Sequence, residues 1–255
     1  MQHLKFIIIA VLLTFLSCKE QGEIKNQKAR ITNKEIPITD SISADTSIVN
    51  YIKPYANRID EEMSSVLAYA SNDLDKSDGK LNTAIGNMMA DAVMELSNPV
   101  FKKRQNQSID AVLLNYGGIR STIPKGNVTT RTAYNIMPFE NSVYILRLGT
   151  KEMREMFGYL AKHKTAHPIS GMQITLDKNG KLKETFVQGK PLQKNKKYWI
   201  ATNNYLYRGG DNMVFLGKAD KSEDLNYKLR NVFIDYFKKH DTINPQRDQR
   251  FSQEK

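Results

Sequence analysis

Two paired-glycine segments stand where apolar runs give way to loops: Asn115-Tyr116-Gly117-Gly118-Ile119-Arg120 and Tyr207-Arg208-Gly209-Gly210-Asp211. Paired glycines let a backbone turn through positive φ or approach a ligand closely. An arginine just after such a turn offers a planar fork of donors matched to phosphate or carboxylate oxygens. The same local pattern also fits a tight turn with a surface arginine. In Met137-Pro138-Phe139-Glu140-Asn141 a proline fixes the backbone ahead of an aromatic ring, and an amide able to donate and accept follows. A ring held this way can stack on a base. Tyr205 lies six residues before Asp211, so a second ring and a carboxylate that accepts from sugar hydroxyls can share one loop; rings in loops also serve as plain core filling.

Other chemistries find little support. Of the four histidines, His3 lies in the N-terminal segment and His240 near the end, while His163 and His167 have helix-like spacing but no acidic residue close in sequence. That is a poor start for a metal site. No Gly-x-Ser-x-Gly elbow is present. The single cysteine, Cys18, has no partner in the chain for a disulfide.

The elements that must position these residues follow from apolar spacing. Ile52, Tyr55, Ile59, Met63, Val66, Leu67 and Ala70 recur at three- and four-residue steps, which predicts a helix over 51–70. A second helix is expected over 83–96, with Pro99 just beyond its end. Strands are expected at 109–115, 142–148, 172–176, 182–187 and 198–202, with Asp177-Lys178-Asn179-Gly180 as a hairpin turn. Two more helices are expected, at 151–161 capped by Thr150 and at 223–239 capped by Ser222. The sum is an α+β single domain with a mixed β-sheet flanked by helices, covering 50–245, followed by a loose polar tail at 246–255.

The chain has 255 residues, 40% hydrophobic, and a net charge of +11. Its basic residues are scattered, with no dense tract and no aromatic interleaving, so a solvated basic surface is expected and no nucleic acid partner. Residues 1–17 begin with Lys5, continue through the apolar run Phe6 to Leu13 and end at Phe15-Leu16-Ser17 before Cys18. This is the pattern of a signal peptide, and the run is too short for a stable membrane span. It resembles a bacterial lipoprotein signal, which implies lipidation of Cys18, export, and anchorage to a membrane on the periplasmic side or cell surface. Residues 18–49 are polar and aperiodic, as a flexible tether would be.

Several segments taken in order carry a family resemblance: Gly86-Asn87-Met88-Met89-Ala90-Asp91-Ala92, Leu114 to Arg120, Pro138-Phe139-Glu140-Asn141, Ser170-Gly171, and Asn203 to Asp211. Together they resemble the 5'-nucleotidase C-terminal domain over roughly 52–214. The resemblance implies that Phe139 and Tyr205 stack on the base of a nucleotide or nucleoside ligand, that Arg120 binds anion, that Asn115, Asn141 and Gly171 contact the ligand, and that Asp211 accepts from the ribose. The arginines that precede the Gly86 helix in that family have no counterpart; Lys76 and Lys80 lie nearby. Glu140 replaces a glycine common there, and Asn212-Met213 replace a glycine and an aromatic.

In that family a separate N-terminal domain holds two metal ions that activate water and clamp the phosphoryl oxygens. Its Asp-x-His and Gly-Asn-His-Glu signatures are absent from this sequence. The expectation is therefore nucleotide recognition as the substrate-binding half of a hydrolase serving nucleotide catabolism or salvage. No cofactor is expected in this chain, and divalent metals are expected on a separate metallophosphatase partner. The alternative is a stand-alone nucleotide-binding lipoprotein, and less so an autonomous hydrolase.

Overall fold

A computed structural model describes residues 33–255; residues 1–17, expected as a signal peptide, and Cys18 lie outside the described residues. Residues 33–45 form no helix or strand, only a turn near 40–41, and are exposed. Residues 50–255 make one compact unit. Its element order is α1 (Thr46–Ser64), β1 (Val66–Ala70), α2 (Ala84–Gln105), β2 (Ala111–Leu113), β3 (Gly126–Thr129), α3 (Thr130–Ile136), β4 (Ser142–Gly149), α4 (Thr150–His163) and β5 (Ile169–Ser170). There follow β6 (Met172–Leu176), β7 (Leu182–Val187), β8 (Lys190–Pro191), β9 (Lys197–Asn203), α5 (Asn204–Tyr207), β10 (Lys221–Lys228), α6 (Leu229–Lys239), β11 (Thr242–Ile243) and β12 (Phe251–Gln253).

The central sheet has the order β10-β4-β9-β2-β5, in which only β9 and β2 run parallel. Successive residues of a strand point to opposite faces, and both faces of this sheet are apolar. Val112, Val143, Ile145 and Ala201 pack with α2, α3 and α6, whereas Ala111, Leu113, Leu146, Leu148 and Ile200 pack with α4 and the sheet β12-β6-β7-β8. A third, small sheet, β11-β1-β3, closes the side that carries α6.

Five expectations change once tertiary pairing is in place, four at helix ends and one at the C-terminus. The helix expected over 51–70 ends at Ser64, and Val66–Ala70 is a strand paired with β3 and β11; none of the residues of α1 is buried. The helix at 83–96 runs on through Pro99 to Gln105 because Phe101, fully buried, packs edge-on against Trp199 at 5.0 Å. The helix expected at 223–239 begins only at Leu229, since Lys221 to Asp224 pair with Tyr144 to Arg147 of β4. Leu225 and Leu229, both buried, mimic the helical step from strand and helix respectively. At α4 the Thr150 hydroxyl caps nothing and donates to the Gln193 carbonyl at 2.8 Å, and Gly149 opens the helix with its amide on Glu152 Oε2 at 3.1 Å.

The last ten residues, expected to be loose, are woven in. Phe251 to Gln253 lie parallel to β6, and the Phe251 side chain is 1% exposed. Arg250 forks onto both carboxylate oxygens of Asp91 at 2.9 Å, onto Asp248 at 2.8 Å and onto the Ile169 carbonyl at 2.7 Å. Asn87 Nδ2 donates to the Gln246 carbonyl at 3.0 Å. The segment Gly86 to Ala92 thus serves as the anchor of the C-terminus.

Truncating a buried phenylalanine removes its transfer free energy and leaves a cavity. Phe251→Ala is expected to lower the unfolding free energy by about 3–5 kcal/mol in urea titrations, and Lys255→Ala, at the exposed end, to change it by less than about 0.5 kcal/mol.

Candidate functional site

Strand directions decide which loops meet. Because β9 is parallel to β2 and antiparallel to β4, with Val143 opposite Asn203, the loop leaving β2, the loop leaving β9 and the loop entering β4 all open on one edge of the sheet. β5 pairs antiparallel with β2, so the segment entering β5 reaches the same edge. These loops enclose a cavity of about 330 Å³ lined by Asn115, Gly117, Arg120, Phe139, Asn141, Tyr205 and Asp211. That volume lies at the lower end of the range for small-molecule sites, roughly 300–1,000 Å³.

Asn115 is 7% exposed and Asn203 fully buried, and the Asn203 amide nitrogen donates to Asn115 Oδ1 at 2.9 Å. Asn203 Oδ1 in turn accepts the Leu206 amide at 2.8 Å, capping α5. From Asn115 the chain makes a 3₁₀ turn, with the Gly118 amide on the Asn115 carbonyl at 3.0 Å and the Ile119 amide on Tyr116 at 3.2 Å. Arg120 is then fastened by its amide to the Ile136 carbonyl. Its guanidinium donates to the Gly117 carbonyl at 3.4 Å and lies 5.8 Å from the centre of the Phe139 ring, within cation–π reach. Lys76 backs this turn, with Nζ on the Ile119 carbonyl at 3.1 Å and 4.9 Å from the Tyr116 ring centre.

The loop bearing Phe139 rests on Arg230, a residue that the sequence pattern did not single out. Arg230 emerges from the start of α6, is 7% exposed, lies 4.0 Å over the Tyr134 ring, and donates to the Pro138 carbonyl at 3.4 Å and to the Glu140 carboxylate. The guanidinium beside Glu140 holds that carboxyl below its ordinary range. Glu140 therefore tethers the loop from outside while its neighbours Phe139 and Asn141 face the cavity.

In the loop after β9, the Tyr205 hydroxyl donates to Asp211 Oδ1 at 2.7 Å, and this bond pushes the phenol above its usual range. The ring lies flat enough on the backbone that a Cβ on Gly210 would sit 2.5 Å from it, which explains a residue without a side chain there. Asp211 and Asn212 both adopt left-handed backbone, φ 52° and 59°, and Tyr159 of α4 donates to the Asp211 carbonyl at 2.7 Å. Strained backbone of this kind persists only where surrounding contacts over-determine it.

Phe139 and Tyr205 are 42% and 43% exposed, two large rings left half open at one cavity. Gly171 stands elsewhere, in a hollow with Gln188, Asp248 and Arg250. Its φ of +71° and a Cβ position 2.4 Å from the Asp110 carbonyl account for the glycine by backbone geometry. The His163 ring lies tilted against Tyr159 with ring centres 4.2 Å apart, and His167, buried, accepts the Tyr116 amide on Nδ1 at 3.1 Å. The sequence pattern singles out neither Arg230 nor Tyr159, weighs His167 only for a metal site and carries Asn203 only as the start of a matching segment, because each acts on the site through another residue. A buried asparagine ahead of a short helix is the only local signal among them, that of an N-cap.

Removing the prop under Phe139 takes a donor from the Pro138 carbonyl, on an exposed residue that water can reach, so the cost is the net value of one hydrogen bond, about 0.5–1.5 kcal/mol. Arg230→Met is expected to lower stability within that range and to speed amide hydrogen exchange at 139–141, while exchange at 111–113 in β2 stays at the rate of global unfolding.

The model of the 5'-nucleotidase C-terminal domain matches residues 64–218. The trifunctional nucleotide phosphoesterase protein YfkN of Bacillus subtilis is 24% identical over 237 residues, covering 86% of this chain and 16% of that protein. A 5'-nucleotidase of Vibrio vulnificus is 23% identical over 203 residues, covering 77% and 34%. The crystal structure of a 5'-nucleotidase precursor from Thermus thermophilus superposes with a TM-score of 0.66 at 24% identity, over 80% of this chain and 42% of that one. The chain thus spans less than half the length of these relatives. Motif order, fold and family match converge, and the chain belongs to the 5'-nucleotidase C-terminal domain family.

Proposed function

We propose that the cavity takes a nucleoside phosphate and that the chain is the substrate-binding half of a 5'-nucleotidase-type hydrolase, with the catalytic metals on a separate metallophosphatase partner. The observation that carries this is the meeting of two half-exposed rings, an arginine with a largely open donor fork, and an acceptor carboxylate around one cavity. Each group suits one part of such a ligand. Phe139 and Tyr205 stack on the base, for which every base offers a π-face. Arg120 takes the anion through charge-assisted hydrogen bonds. Asp211 keeps Oδ2 for a ribose hydroxyl while Tyr205 occupies Oδ1, and Asn115 and Asn141 are the polar contacts. Phosphate ester cleavage then needs water activated by metal ions on the partner. In the same proposal the chain is exported and held at a membrane by a lipid on Cys18.

The test is a calorimetric titration of the purified chain with AMP, UMP and adenosine, beside the double variant Phe139→Ala, Tyr205→Ala. Loss of two stacking contacts of about 1–3 kcal/mol each is expected to weaken binding by one to several orders of magnitude. Native protein that binds none of the three ends the proposal. Native protein that binds AMP but releases phosphate no faster with a metallophosphatase partner than that partner alone supports the stand-alone binding lipoprotein instead. For the anchor, Cys18→Ser is expected to move the protein from the membrane fraction to the soluble one; unchanged partitioning removes Cys18 from the account.

A further inference from the structure

We propose that His167 is a positioning residue of this site, holding the Asn115–Arg120 turn in its ligand-binding shape by accepting the Tyr116 amide on an unprotonated Nδ1. This deepens the nucleotide reading and, for its ligand arm, rests on it.

The sheet register places the histidine there. β5 pairs with β2 through Ser170 opposite Val112 and Ile169 opposite Leu113, and the Leu114 amide continues the ladder onto the Pro168 carbonyl at 2.9 Å. One residue further along each strand, backbone pairing gives way, because Asn115 leaves the sheet to start the 3₁₀ turn. The first amides of such a turn have no partner within it. Tyr116 is the first, and His167, 5% exposed, supplies the acceptor at 3.1 Å where a backbone carbonyl would otherwise be needed. That bond fixes the start of the turn: the Tyr116 carbonyl accepts the Ile119 amide, and the next residue is Arg120, itself fastened by its amide to the Ile136 carbonyl.

Only neutral imidazole with its proton on Nε2 does this, since imidazolium donates from both nitrogens and has no lone pair to offer. The groups facing the ring pull in both directions. Burial disfavours the cation, the Asp211 carboxylate and the Leu114 carbonyl favour it, and His163 of α4 opposes it; Tyr159, 6.1 Å away between ring centres, brings no charge at neutral pH. Burial prevails and lowers the imidazole to about 4, so the acceptor is in place throughout the neutral range and is lost only as pH falls through that value. Because the unfolded side chain titrates near 6.5, the unfolded state takes up the proton first, and the stability that neutral His167 contributes declines as pH drops from about 6.5 toward 4.

The experiment compares His167→Leu, which keeps bulk and removes the acceptor, with His167→Asn, whose Oδ1 stands close to the Nδ1 position and accepts without titrating. Three readouts are taken on the full chain: AMP affinity, exchange of the Tyr116 amide, and the ¹⁵N spectrum of the wild-type imidazole. The expected result is an AMP affinity about tenfold or more weaker in the leucine variant, with faster Tyr116 exchange. The asparagine variant is expected to restore both to near wild-type, and the wild-type ring to carry its proton on Nε2 at pH 7. A leucine variant with wild-type affinity and unchanged Tyr116 exchange overturns the proposal, as does a ring protonated at Nδ1. If the leucine variant does not fold, rescue by asparagine and the ¹⁵N spectrum decide. Wild-type protein that binds none of AMP, UMP and adenosine sinks the nucleotide reading and the ligand arm with it, while exchange and tautomer still decide the bond between His167 and Tyr116.

Discussion

The hydrogen bond between the buried amides of Asn115 and Asn203 is the constraint on which the cavity depends. Both residues sit just past or at the ends of adjacent parallel strands, where the chain must leave the sheet and its side chains have lost access to water. A buried amide without a partner costs about 1–3 kcal/mol, so each asparagine needs the other, and the two departing loops are tied at their roots. One loop then carries Arg120 and the other Tyr205 and Asp211. With β4 entering from the same edge, Phe139 and Asn141 complete the ring of side chains.

The platform beneath is rigid because both faces of the central sheet are covered. Interiors packed at the density of organic crystals resist displacement, and here one apolar layer lies under α2, α3 and α6 while another lies under α4 and the second large sheet. Precision at the cavity is achieved by fastening each loop to that platform. Arg230 holds the Phe139 loop, His167 and Lys76 hold the turn before Arg120, and Tyr159 holds the left-handed backbone at Asp211. Each is a donor or acceptor standing on a helix, on the entry to a strand or on a fixed loop, satisfying a main-chain group that the loop cannot satisfy itself. The half-open rings and the open arginine fork are the complement of this scheme: groups kept free where their neighbours are bound.

The C-terminus shows the same matching of donors to acceptors. Arg250 is taken up by two carboxylates and a carbonyl, and its guanidinium is held firmly in its charged form by Asp91 and Asp248 despite burial. A buried charge is tolerable when paired and hydrogen-bonded and expensive otherwise. The stretch around Gly86 to Ala92, which in sequence reads as one motif among several, is in three dimensions the receptor for this tail.

The sequence by itself determined much of the site and the class of the fold. Paired glycines, a ring after a proline, and a ring six residues before a carboxylate are local patterns whose conformational demands are carried by the residues themselves, and the strands at 142–148, 172–176 and 182–187 emerged nearly residue for residue. What only the tertiary structure decided were the contests between local periodicity and pairing with a distant partner. Val66 to Ala70 and the stretch from Glu223 carry helix-like spacing, yet Val66 to Ala70 and Lys221 to Lys228 became strands because a neighbouring edge offered backbone partners. Phe101 drew its helix past a proline toward Trp199, and Phe251 drew a polar tail into the core. The residues that aim the site, Asn203, Arg230, His167 and Tyr159, likewise owe their roles to strand order. A hydrogen bond between residues 51 to 92 positions apart leaves no periodic trace along the chain, and its existence follows only from which strand lies beside which.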